Sequence, residues 1–257
     1  MNGILKFVLA MIFTVLSLNV GFSSSSHYEA LIFDVDGVLV DTEKLKYEAW
    51  REALQEEGVD FRVEEYYGLV GLSSKDILKA IVVLKQRDIS EDLIAKKDSY
   101  YHAKQKMGVP LMPEGVKFLK DALQSRGAKN IKVALASSAP MKEILENVKQ
   151  MGLNESDFDC IASGKDSLNH IYDPEGVNKP KPYIYQYVAE KMGVMPKNCI
   201  VFEDTNAGVA AAVSAQMNVY AVPNEFTKNQ DFLRARRVIN FEKIKIVDVL
   251  EDKIAEK

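Results

Sequence analysis

The chain has 257 residues, 47% hydrophobic and 27% charged, the make-up of a globular protein with one large or two modest domains. A formal net charge of -4 provides no basic field for a polynucleotide, so composition argues against a nucleic-acid partner, and a small anionic substrate would need local cations or a metal. The two cysteines, Cys160 and Cys199, fit neither a disulfide framework nor a closed zinc site, and they read as buried free thiols.

In chain order, Lys6 precedes an apolar run from Phe7 to Val20, followed by Ser23 to Ser26. The run is shorter than the roughly 20 residues of a spanning helix, so residues 1–26 read as a cleavable targeting peptide, secretory or organellar. With a single basic residue ahead of the run, an uncleaved anchor is the alternative. The mature chain is expected to begin near His27.

Leu31, Ile32 and Phe33 then read as a buried strand that ends at the Gly37 turn. Side chains two apart on a strand share a face, so Asp34 and Asp36 can converge on one ligand or metal beyond the strand's carboxyl end, where open α/β sheets bind ligands. The alternative is a solvated strand end with acidic turn residues. From Thr42 to Met107 the apolar residues fall at helical spacings, as in Leu45, Ala49, Ala53 and Leu54, or Ile77, Leu78, Ile81 and Val82. This stretch predicts several short helices, one starting near Ser90, with Trp50, Tyr66, Tyr67, Tyr100 and Tyr101 as packing residues.

From Pro113 onward, helix and strand alternate, which predicts a parallel sheet with crossover helices. Helices are expected at Glu114 to Gln124, Met141 to Met151, Pro182 to Lys191, Asn206 to Ala215 and Ile244 to Leu250. Strands are expected at Ile131 to Ala136, around Cys160 and Ile161, at Cys199 to Phe202 and at Val219 to Val222. The chain thus divides into residues 27–41 with 112–257 as an α/β core, and 42–111 as a helical insertion.

Three further stretches carry chemistry. The second strand ends at Ser137, whose hydroxyl can donate to a ligand at the strand's end, although Ser137 and Ser138 before Pro140 also suit a helix cap. Asn178-Lys179-Pro-Lys-Pro182 offers an ammonium to a small anionic ligand, from Lys179 or from Lys181 two residues on. Ile200-Val-Phe-Glu203-Asp204 is a buried strand ending in adjacent acids, where Asp204 either ligates a cation or caps the next helix.

Together these stretches resemble, in order, the four motifs of the haloacid dehalogenase-like hydrolase superfamily, beginning with Asp34-Val-Asp36-Gly37-Val38. The resemblance covers the chain from about Tyr28 to its end and implies a Rossmann-like, mainly parallel α/β core with an inserted helical cap. It implies that Asp34 is the nucleophile, Asp36 the general acid/base, Ser137 a phosphoryl donor with Ser138 beside it, and Lys179 the cation between phosphate and nucleophile. It also implies Mg2+ held by Asp34, the carbonyl of Asp36, Asp204 and Glu203. Relatives that remove halide from carbon lack the second Asp, so Asp36 points to phosphoryl transfer. Many relatives carry Asp where this chain has Tyr183.

Within the superfamily the chain resembles CbbY-like sugar-phosphate phosphatases and the β-phosphoglucomutase group. Gly71-Leu-Ser73-Ser74-Lys75-Asp76 is similar to the cap's substrate loop, which makes Ser73, Ser74 and Lys75 substrate-binding candidates together with Lys46. The mutases place Arg where Ser74 falls and His where Lys46 falls. The expected activity is therefore Mg2+-dependent hydrolysis of a small phosphorylated metabolite, a sugar phosphate, through an aspartyl phosphate. A phosphomutase and a non-catalytic phosphometabolite-binding protein are the alternatives, no stable protein partner is implied, and CbbY-like relatives add the plastid as a destination.

Overall fold

The computed structural model describes residues 28–254, so the expected targeting segment lies outside the described residues. β1 (Ala30–Phe33) is the pivot, paired in parallel with β2 (Lys132–Ser137) on one side and β4 (Cys199–Glu203) on the other. β3 (Cys160–Ser163) extends the sheet beyond β2, and β5 (Asn218–Ala221) followed by β6 (Arg237–Val238) extends it beyond β4, giving the order β3-β2-β1-β4-β5-β6, all parallel. The direction of winding reverses at β1, the place where doubly wound sheets open a crevice at their carboxyl ends.

Alternation along β1 explains why the sheet is buried on both faces. Leu31 and Phe33 join one apolar cluster with α5 (Pro113–Lys129), α6 (Met141–Gln150) and α9 (Ile246–Leu250), while Ala30 and Ile32 join a second with α7 (Tyr183–Met192) and α8 (Asn206–Ser214). In the first cluster the Phe33 ring stacks on Phe202 at 4.7 Å, and Phe118 stacks on Phe241 at 4.6 Å. Each such pair adds roughly 0.5–1.5 kcal/mol beyond the area it buries.

Between β1 and α5 lie α1 (Thr42–Glu56), α2 (Val63–Tyr66), α3 (Ser74–Lys85) and α4 (Asp92–Lys106), which bury their own cluster around Trp50, Leu54, Phe61, Tyr66 and Ile81. One core residue, Phe226, joins that cluster, with its ring edge-on to Tyr66 and Tyr67. The two connections to the insertion run side by side. Val40 bridges Leu111, the Asp41 amide donates to the Pro110 carbonyl at 2.7 Å, and the Met112 amide donates to the Leu39 carbonyl at 2.8 Å.

The elements depart from expectation at their ends. α5 runs through Gly127 to Lys129 and stops where Asn130 takes a left-handed conformation, φ 50°. α9 starts at Ile246 rather than Ile244, and β6, two residues long, is too short to show a period. The cap of α6 is Pro140, and the exposed Met141 amide is taken by Asp166 at 2.7 Å, so Ser138 does not cap this helix. Thr205, rather than Asp204, caps α8, accepting from the Gly208 amide at 3.1 Å. Cys199 is buried and Cys160 half-buried; both are free. No helix among the described residues is long and apolar enough to cross a membrane.

Candidate active site

The carboxyl ends of β1, β2 and β4 bring Asp34, Asp36, Ser137, Glu203 and Asp204 to one side of the sheet. Asp34 follows β1 directly and is buried, its amide donating to the Phe202 carbonyl at 3.0 Å. Asp36 sits two residues on, half-buried, with Oδ1 accepting from the Thr42 hydroxyl at 2.8 Å and Oδ2 from the Ser137 hydroxyl at 2.7 Å. Gly37 adopts φ 80°, and a Cβ there would stand 2.1 Å from Asp204 Oδ2. Glycine is thus demanded twice, by the left-handed turn and by the approach of the acid.

Lys179 reaches in from the loop before α7. Its Nζ lies 2.5 Å from Asp34 Oδ1 and 2.6 Å from Glu203 Oε1, above the Tyr185 ring at 5.1 Å. The Tyr185 hydroxyl donates to the same Glu203 oxygen at 2.5 Å, and Gly208 allows that carboxylate room, since a Cβ there would meet it at 1.9 Å. Lys181 is turned away, paired with Asp173 at 3.2 Å and Glu175 at 2.7 Å. Tyr183, where many relatives carry Asp, donates its hydroxyl to Asp173 at 2.9 Å and so ties the same loop by another route.

The electrostatics are unbalanced. Asp34, Glu203 and Asp204 bring one oxygen each within 4.8 Å of one another, all buried, with one ammonium, Lys179, against them. Burial and then the neighbouring acids leave Asp204 well above the ordinary carboxylate range. Burial also raises Asp34, against the opposing pull of Lys179. Lys179 itself, which burial would lower, is held well above its ordinary value by Asp34 and Glu203. Asp204 Oδ1 is buried without a hydrogen-bond partner, whereas Oδ2 accepts from Asn224 at 2.8 Å. An all-oxygen, net-negative cluster with one orphaned oxygen fits a hard divalent cation, because buried polar atoms are otherwise paired.

A cavity of about 410 Å³ opens above these groups, roofed by the inserted helices. Lys46, Ser74 and Ser138 line it; Ser73 and Lys75 do not. Ser73 caps α3, accepting from the Asp76 amide at 3.2 Å, and Lys75 is exposed. The cation the roof supplies beside Lys46 is Lys97 on α4, buried, 3.5 Å from the Ser74 hydroxyl and over the rings of Trp50 and Tyr101 at 5.6 and 5.5 Å. Sequence reasoning missed it, although Leu93, Lys97 and Tyr101 recur at i, i+4 and i+8, one helix face. Glu43 was also missed: it accepts from Lys46 at 2.6 Å and from the Tyr66 hydroxyl at 2.8 Å, holding Lys46 in place. Trp50, Tyr66 and Tyr101 both pack and line the cavity.

A family model for haloacid dehalogenase-like hydrolases matches residues 31–222. The chain belongs to that family. It is 32% identical to the phosphorylated carbohydrates phosphatase of Thermotoga maritima over 87% of this chain and 99% of that one. Among solved structures it is similar to β-phosphoglucomutase from Clostridium difficile, with a TM-score of 0.62 and 26% identity, over 88% of this chain and 98% of the other. It is equally similar to CbbY from Rhodobacter sphaeroides in complex with phosphate, with a TM-score of 0.64 and 26% identity over 84% and 96%. The resemblance in the motifs thus extends to the whole family fold, to phosphatase relatives and to both named groups.

Proposed function

We propose that this haloacid dehalogenase-like hydrolase is a Mg2+-dependent phosphatase of a small phosphorylated carbohydrate, working through an aspartyl phosphate on Asp34, with the inserted helices as its cap. The observation that carries this reading is Lys179, its side chain 9% exposed and bonded at once to Asp34 and Glu203, beside the unpaired oxygen of Asp204. The phosphorylated carbohydrates phosphatase among the relatives supports the substrate class.

Asp34, Asp204 and Glu203, with the carbonyl of Asp36, are the groups that would hold Mg2+. When bound, the ion neutralises charge on the transferring phosphoryl group. In the first step an Asp34 carboxylate oxygen bonds to phosphorus as the ester P–O bond breaks, and Asp36 gives its proton to the leaving oxygen. In the second, Asp36 takes a proton from water as water bonds to phosphorus and Asp34 is released. Lys179 offsets repulsion between the carboxylate and the phosphate, Ser137 turns from Asp36 to a phosphoryl oxygen with Ser138 beside it, and Lys46, Lys97 and Ser74 grip the rest of the substrate.

The test is a panel of sugar phosphates incubated with the full chain, with and without Mg2+. Phosphate release that requires Mg2+, and that Asp34→Asn abolishes, is expected. Phosphate release by Asp34→Asn would sink the covalent route. Conversion of glucose 1-phosphate to the 6-phosphate under a bisphosphate primer would favour a mutase, and no turnover of any ester would favour a binding protein.

A further inference from the structure

We propose that Asn224 is a positioning residue for Asp204, fixing one carboxylate oxygen so that the other is left for the cation. The inference rests on the metal reading above. Asn224 follows β5, 20 positions from Asp204. Its amide nitrogen donates to Asp204 Oδ2 at 2.8 Å and to the Gly37 carbonyl at 3.0 Å, using both hydrogens. Its amide oxygen accepts from the backbone of Phe226 at 2.9 Å and Thr227 at 3.2 Å. With four partners the amide has one orientation, and its donor end faces Asp204.

The two oxygens of Asp204 are therefore unequal. Oδ2 is tied to Asn224 and pressed against Gly37, where even a methyl group would collide, while Oδ1 is buried with no partner. A neutral donor suits this position, because an ammonium in its place would cancel the charge meant for the cation, whereas an amide orients the carboxylate and leaves its charge intact. Asn224 also closes the turn that presents Phe226 to Tyr66 and Tyr67, so one side chain serves the acidic cluster and the roof contact together.

The experiment titrates the full chain with Mn2+ alone, following free ion by electron paramagnetic resonance, for the wild type, Asp204→Asn, Asn224→Ala and Asn224→Ser. Serine keeps an oxygen for the Phe226–Thr227 turn but is too short to reach Asp204. Asp204→Asn should abolish binding. Both Asn224 variants should bind Mn2+ about 10- to 100-fold more weakly. The metal-free melting temperature should fall for alanine and stay near wild type for serine. Wild-type affinity in either folded variant would overturn the positioning role while leaving the metal site standing. Absence of binding by the wild type itself would overturn both.

Discussion

The Ser137 hydroxyl donates to Oδ2 of Asp36 across 2.7 Å, although the two residues are 101 positions apart in the chain. Ser137 Oγ also accepts from the Ala139 amide at 2.9 Å, so its direction is set from both sides. Asp36, with Thr42 on its other oxygen, is held facing the cavity before any substrate arrives. Ser137→Ala should therefore lower kcat by about 10- to 100-fold, because Asp36 loses the partner that sets its aim before substrate binds and the phosphoryl group loses a donor afterwards, eroding the general acid's 10²–10⁴-fold contribution. Alkyl phosphates, with poorer leaving groups, should suffer more than aryl phosphates, and Ser137→Thr should recover most of the loss. Equal losses on both ester types would count against this coupling.

The roof offers a clean comparison between two lysines. Lys97 lines the cavity and Lys75 does not. Lys97→Ala should raise KM for a sugar phosphate by roughly 10- to 100-fold, since a hydrogen bond to a charged group contributes about 1.5–3 kcal/mol. Lys75→Ala should stay within about twofold, as exposed charges contribute little. Steady-state kinetics on the two variants decide it, and a larger effect at Lys75 would return the substrate loop to the place the sequence suggested.

Gly208 sits inside α8, where alanine would ordinarily stabilise a helix by about 1 kcal/mol. Here the added methyl would stand 1.9 Å from the Glu203 carboxylate. Gly208→Ala should force Glu203 to move, loosen Lys179 and cost on the order of 10²-fold in kcat, the scale of a displacement of about 1 Å in a reacting constellation. The variant should remain folded by circular dichroism. Unchanged activity would show that Glu203 can shift without consequence.

Burial, and then Glu29, push the Cys199 thiol up to about 12. In the unfolded chain the thiol titrates nearer 9.0, so between those values the folded state keeps a proton that the unfolded state has released. Stability from this group is complete below the lower value and is lost as pH rises through the window. The melting-temperature advantage of the wild type over Cys199→Ala should shrink between about pH 9 and 11. A constant gap would show that the thiol is not held protonated.

How much was legible beforehand follows from where each signal resides. The strand ends that carry Asp34, Ser137 and Glu203 were readable because a buried apolar run stopping at a polar residue is a local pattern. Lys179 was separable from Lys181 only by motif order, and the structure shows why the neighbour differs: its acids, Glu175 and Asp173, lie six and eight residues back in the same loop. Asn224 left no such trace, and Lys97 only its place on one helix face with Leu93 and Tyr101. A lysine in a charged helix and an asparagine after a strand look solvated until the fold brings Trp50 to one and Asp204 to the other. The Ser138 cap failed for the same reason, since Asp166, 25 positions from Met141, supplies the acceptor.

The single bridge between Val40 and Leu111 has a consequence for how this architecture can change over time. With its two ends already joined, the segment between them looks to the sheet like one short hairpin, whatever its length. Closing such a loop costs only about 0.6 kcal/mol more for each doubling of its residues. The roof can therefore be enlarged, shortened or exchanged without disturbing the register that aims Asp34 and Asp36. Diversification of what is recognised is thereby uncoupled from preservation of the chemistry.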